Sequence, residues 1–120
     1  MSDAPRISTN ALEHNHSIVV FVNIDGKASR HATSGSVKRN MTLLETTVRS
    51  IIKTHEPGVI CFCEVGEASK PLTLDEMSTV RQAIENTWHE LLQSTQLQSS
   101  FKQGYPYLTV WDASRVHCFN

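Results

Sequence analysis

Two apolar runs separated by a single helical stripe constrain this chain more than any other feature. The first, Ser17-Ile-Val-Val-Phe-Val-Asn-Ile24, is β-branched and continuous. The second, Pro57-Gly-Val-Ile-Cys-Phe-Cys-Glu-Val-Gly66, is shorter and is cut off by a carboxylate, Glu64. Continuous rather than alternating apolar residues mark strands covered on both faces, as in parallel sheets. Between the runs, Val37, Met41, Leu44, Val48, Ile51 and Ile52 recur at helical spacing, the stripe of an amphipathic helix. That helix is expected to begin between Ser36 and Asn40, either of which can cap it, and must end before Pro57. Strand, helix and strand make a βαβ unit with a right-handed crossover and parallel strands.

Downstream, Thr73 with Glu76 three places on has the form of a capping box, and Leu72 can staple to Met77. The second helix is expected to run to about Ser94 with Leu74, Met77, Val80, Ile84, Trp88, Leu91 and Leu92 on one face. Residues 93–103 are polar and read as a surface connection. Tyr105-Pro-Tyr-Leu-Thr-Val-Trp111 reads as a third strand with Pro106 at its start, where a missing N–H is tolerated. A turn over residues 112–115 leads to Val116-His-Cys-Phe119, the opening of a fourth strand antiparallel to the third. Residues 1–16 lack an apolar period and read as a flexible N-terminal arm, leaving 17–120 as one domain. The fold class is therefore α/β: a βαβ unit followed by a helix and a β-hairpin.

Composition removes several functions. Eleven Lys and Arg against twelve Asp and Glu give a net charge of −1, so no whole-molecule field draws the chain to nucleic acid or anionic lipid. No stretch approaches the roughly 18 apolar residues of a membrane span, and Met1-Ser-Asp-Ala-Pro-Arg lacks the order of a signal peptide. An intracellular protein, cytoplasmic or nuclear, is expected. Cys61, Cys63 and Cys118 cannot all pair, and Cys61 and Cys63 are expected on opposite faces of their strand, so reduced thiols are expected.

Chemistry can gather where the two parallel strands end, because ligands of open α/β sheets bind outside the carboxyl ends of the strands. The first ends in Asn23-Ile24-Asp25-Gly26 and the second in Glu64. An amide oxygen with one or two carboxylates is a hard, oxygen-rich set that suits Mg²⁺ or Mn²⁺. Lys27, Arg30, Lys38 and Arg39 follow in a stretch without acids, read either as a solvated loop or as phosphate contacts. His14 and His16 read as part of a solvated tail, and His117 as a strand residue.

The segments Val22-Asn-Ile-Asp-Gly26 and Pro57-Gly-Val-Ile-Cys-Phe-Cys-Glu-Val65 resemble the first two motifs of the endonuclease/exonuclease/phosphatase superfamily, the fold of deoxyribonuclease I. The resemblance implies the first half of a deoxyribonuclease I-like α/β sandwich over roughly residues 17–119. It implies Asn23 and Glu64 as ligands of a catalytic Mg²⁺, with Asp25 close to the same metal, and a nucleic acid or phosphorylated small molecule as substrate. Gly58 and Cys63 depart from the family's usual Asp and Gln. The family's later motifs, which polarise the phosphate and activate water, have no counterpart here, so the chain is expected to be incomplete and inactive alone. Two other readings stand beside it: a non-catalytic module whose uncovered third and fourth strands pair with a partner chain, and a thioredoxin-like protein using Cys61 and Cys63.

Overall fold

The structure, a computed structural model, describes residues 6–11, 18–24, 34–67 and 70–116, with side chains placed for 18–24, 41–66 and 71–116. Its chain order is β1 (Arg6–Ala11), β2 (Ile18–Asn23), α1 (Ser34–His55), β3 (Val59–Cys63), β4 (Gly66–Glu67), β5 (Lys70–Pro71), α2 (Leu74–Leu92), β6 (Leu97–Phe101) and β7 (Leu108–Asp112). The expected βαβ unit is β2–α1–β3, with β2 and β3 parallel and Val20 level with Ile60. Around it the sheet is mixed, in the order β1-β2-β3-β7-β6. The β1–β2, β3–β7 and β6–β7 pairs are antiparallel.

The alternation of each strand assigns the two faces. Val20, Val22, Ile60, Phe62, Leu108 and Val110 point inward and join Leu44, Val48, Ile51 and Ile52 of α1 and Met77, Val80, Ile84 and Trp88 of α2 in one core. Both helices therefore lie on one side of the sheet. Arg49 crosses between them to the Glu90 carboxylate with two hydrogen bonds, at 3.0 and 3.3 Å. The indole N–H of Trp88 is fully buried without a hydrogen-bond partner among the described residues.

Local chemistry fixes the element ends. The Thr73 hydroxyl accepts from the Glu76 amide at 3.1 Å while the Glu76 carboxylate accepts from the Thr73 amide at 3.0 Å, the reciprocal capping box that the sequence predicts. Glu56 and Gln93 close the two helices in left-handed conformation, each amide reaching back four residues to a carbonyl, Ile52 and His89 respectively. Gly66, with φ near 105°, stands so close to Leu72 that an added Cβ would meet its Cγ at 3.2 Å.

Several expectations are corrected. Residues 6–11, read as part of a loose arm, form edge strand β1, because an edge strand needs backbone pairing more than apolar side chains. Helix α1 begins at Ser34 rather than at 36–40, so Lys38 and Arg39 lie on its backbone and not in a loop. Leu97–Phe101, read as surface connection, is β6, and only its odd positions are half-buried. The hairpin is consequently β6–β7. The third strand starts at Leu108, not Tyr105, and both its edges are already taken by β3 and β6. The proposed fourth strand lies outside the described residues beyond Val116. Leu74, expected inside, is 48 % exposed at the fringe of its stripe, one residue past the cap. Cys61 and Cys63 do not lie on opposite faces: with a side-chain period of two they share the outer face of β3 with Val59.

Candidate metal centre at the sheet edge

The parallel pairing of β2 with β3 brings Asn23 level with Cys63. Glu64 follows one residue later, and the Ile24 amide donates to the Cys63 carbonyl at 3.1 Å, carrying the register past the last ladder pair. Asn23 and Glu64 thus sit at neighbouring carboxyl ends of two parallel strands, where open α/β sheets bind ligands. Asn23 is half-buried and already engaged in the fold. Glu64 is exposed.

Glu64 also departs from ordinary backbone geometry. Its φ is 56°, in the left-handed region that a non-glycine residue occupies at a cost of about 1–2 kcal/mol. The other two left-handed non-glycine residues of the described chain, Glu56 and Gln93, close helices, where this conformation is usual. Glu64 ends strand β3, where the pairing with the β7 side slips by one residue, as in a bulge that takes a left-handed residue. The next residue, Val65, is buried, and its amide donates to the Pro106 carbonyl at 2.9 Å, anchoring the loop that follows β6 against this turn.

An amide oxygen and a carboxylate suit Mg²⁺, which takes one or two carboxylate ligands and keeps several waters. Among the described residues no group of three or more His, Cys, Asp and Glu side chains converges. Asp25, Lys27 and Arg30 lie outside the described residues, as do the side chains of Lys38 and Arg39. His14, His16, His117 and Cys118 also fall outside them.

The thiols are held by the sheet. Burial pushes the Cys61 thiol above its ordinary range despite a hydrogen bond with Thr109, and the neighbouring Cys63 pushes it the same way. Cys63 donates to the Val22 carbonyl at 3.4 Å. A raised thiol is a poor nucleophile, the opposite of what a thioredoxin-like redox centre requires.

The sequence reading missed a second feature of this edge. Between β6 and β7 the chain turns through Lys102-Gln103-Gly104-Tyr105, closed by the Tyr105 amide donating to the Lys102 carbonyl at 3.1 Å. Gly104, with φ near 85°, supplies the positive φ that a type II turn needs at its third position. Tyr105 and Tyr107 are 51 % and 59 % exposed, and the Lys102 ammonium lies 4.9 Å from the centroid of the Tyr105 ring. The signal in the sequence is Gly-Tyr-Pro-Tyr, whose Gly and Pro mark a turn at the start of the expected third strand.

Comparison with protein-family models, with curated proteins and with solved structures returned no match. Among the described residues no helix is long and apolar enough to cross a membrane.

Proposed function

We propose that this chain carries the metal-holding, N-terminal half of a Mg²⁺-dependent phosphoesterase or nuclease of the endonuclease/exonuclease/phosphatase type. The observation that carries the reading is the register of β2 on β3, which sets Asn23 and Glu64 at adjoining strand ends. The exposure of Glu64 supports it, since a carboxylate in solvent at the carboxyl end of a strand can reach a cation. Bound there, Mg²⁺ or Mn²⁺ would neutralise charge developing on a phosphate. Asn23 would orient through its amide oxygen and Glu64 through its carboxylate, with Asp25 close by and Lys27, Arg30, Lys38 and Arg39 available to phosphates of a nucleic acid or phosphorylated small molecule. No described residue is positioned as a water-activating base, so the 120-residue chain alone should hydrolyse phosphodiesters slowly at best. An intracellular compartment fits the free thiols of Cys61 and Cys63.

Thermal melting against Mg²⁺ tests the reading without requiring turnover. A cation that binds only the folded chain raises Tm with concentration. Glu64→Gln and Asn23→Ala should each remove that rise. An equal rise in wild type and Glu64→Gln would overturn the proposal.

The outer sheet face favours a second reading, a module that docks another copy of the chain. Phe21 is 48 % exposed there beside Val19, Val59 and Cys61, and among the described residues the outermost strands of the sheet are β1 and β6, where the sequence points to the third and fourth strands. Sedimentation would separate the readings: a dimer dissolved by Phe21→Lys favours the module, and a monomer removes it.

A further inference from the structure

We propose that the loop between β6 and β7 is a stacking platform for single-stranded nucleic acid, with Tyr105 and Tyr107 receiving bases and Lys102 contacting the phosphate backbone. The inference rests on the phosphoesterase reading in one respect: it names the substrate class of the same sheet edge.

The placement comes first. Leu108 pairs with Phe62, so Tyr107 lies one step further along the outer face, in the row that contains Cys63 and Asn23. Two interstrand spacings, about 10 Å, separate it from Asn23. The Val65 amide holds Pro106 against the turn that presents Glu64. The loop and the proposed metal ligands are therefore parts of one edge.

Phe62, Trp88 and Trp111 are buried, whereas both tyrosines of this short loop stand in solvent, as does Phe21 on β2. Folding gives no reason for them: neither joins the core. Their carrier is nevertheless fixed, by the Gly104 turn, by the ring of Pro106 and by the hydrogen bond from Val65. Rings held on a fixed loop lose little conformational entropy when something stacks on them.

Lys102 packs over Tyr105, which puts a cation beside the aromatic surface. Aromatic faces with an adjacent cation match a chain of bases joined by phosphates better than they match an apolar peptide. A duplex keeps its bases stacked on one another, so only a single strand can offer them to the tyrosines.

The test uses the 120-residue chain in EDTA, with a short fluorescein-labelled oligothymidine followed by anisotropy. Tyr105→Ala and Tyr107→Ala should each weaken binding by at least about five-fold, the lower end for loss of one stacked base. Tyr107→Phe, which keeps the π-face, should bind as wild type does, whereas Tyr107→Leu, which keeps only apolar bulk, should behave like the alanine variant. Lys102→Ala should reduce the salt slope by about 0.7, the contribution of one phosphate contact to a single strand. Undiminished binding by the alanine variants, tighter binding to a duplex of the same length, or absence of binding by wild type would each overturn the proposal. Because this binding is read without metal and the Mg²⁺-dependent melting is read without nucleic acid, either inference can fail while the other stands.

Discussion

The two faces of the sheet are built from the same strands and differ in almost everything else. Inward, Val20, Val22, Ile60, Phe62, Leu108 and Val110 are at most 2 % exposed and meet the stripes of both helices. Outward, Val19, Phe21, Asn23, Cys61, Cys63 and Thr109 are half-buried or exposed, while Trp111, in the row of Val59, is buried. The continuous core cluster lies on the inner face, and most of the buried apolar surface of the described residues is there. The outer face and the carboxyl edge beside it carry the large groups left in solvent: the ring of Phe21, the carboxylate of Glu64 and two tyrosines.

Truncating one phenylalanine on each face separates the two faces most directly. Phe62→Ala removes a fully packed ring and should cost about 3–5 kcal/mol in chemical denaturation. Phe21→Ala should cost under about 1 kcal/mol, because its ring keeps half its contact with water. Similar losses would show that the outer face is packed as tightly as the inner one.

Acid sharpens the contrast at the end of β7, where Asp112 is buried on the inner side. Burial alone pushes its carboxyl up, but hydrogen bonds from the Ser114 hydroxyl and amide and from Ser94, with the charge of Arg115, outweigh burial and hold it below the usual range. A depressed carboxyl stabilises the fold above its unfolded pKa, about 3.9, and that contribution is lost as pH falls through the lower folded value. Wild type should therefore exceed Asp112→Asn in stability at neutral pH, and the gap should narrow as pH drops below about 4. A gap independent of pH would show that the charge contributes nothing.

Smaller again is the cap of α2. Thr73→Ala breaks a box that needs no tertiary partner and should cost about 1 kcal/mol by thermal or chemical unfolding. Glu64→Gly should do the reverse, leaving stability equal or raising it by up to about 1 kcal/mol, since glycine relieves the left-handed strain. A residue whose removal stabilises the chain while abolishing cation binding is held for function rather than for folding.

What was legible in the sequence follows the same division. The capping box and the αβ core were readable because they depend on spacing within one element: Thr73 with Glu76, and Leu44, Val48 and Ile51 on one stripe. The adjacency of Asn23 and Glu64 followed from the parallel pairing that a βαβ unit imposes. Strands β1 and β6 were not readable, because edge strands draw on backbone pairing and their polar side chains hide the period of two. Tyr105 and Tyr107 read as strand residues because aromatics favour strands, although Gly104 and Pro106 mark a turn.

Mn²⁺ titration of the isotope-labelled chain, followed by backbone amide NMR, tests the proposed cation site of Asn23 and Glu64 at the ends of β2 and β3. Paramagnetic broadening should fall first on Ile24 and Val65, the amides next to the two proposed ligands, and disappear in Glu64→Gln. Broadening centred elsewhere, or unchanged by Glu64→Gln, would contradict it.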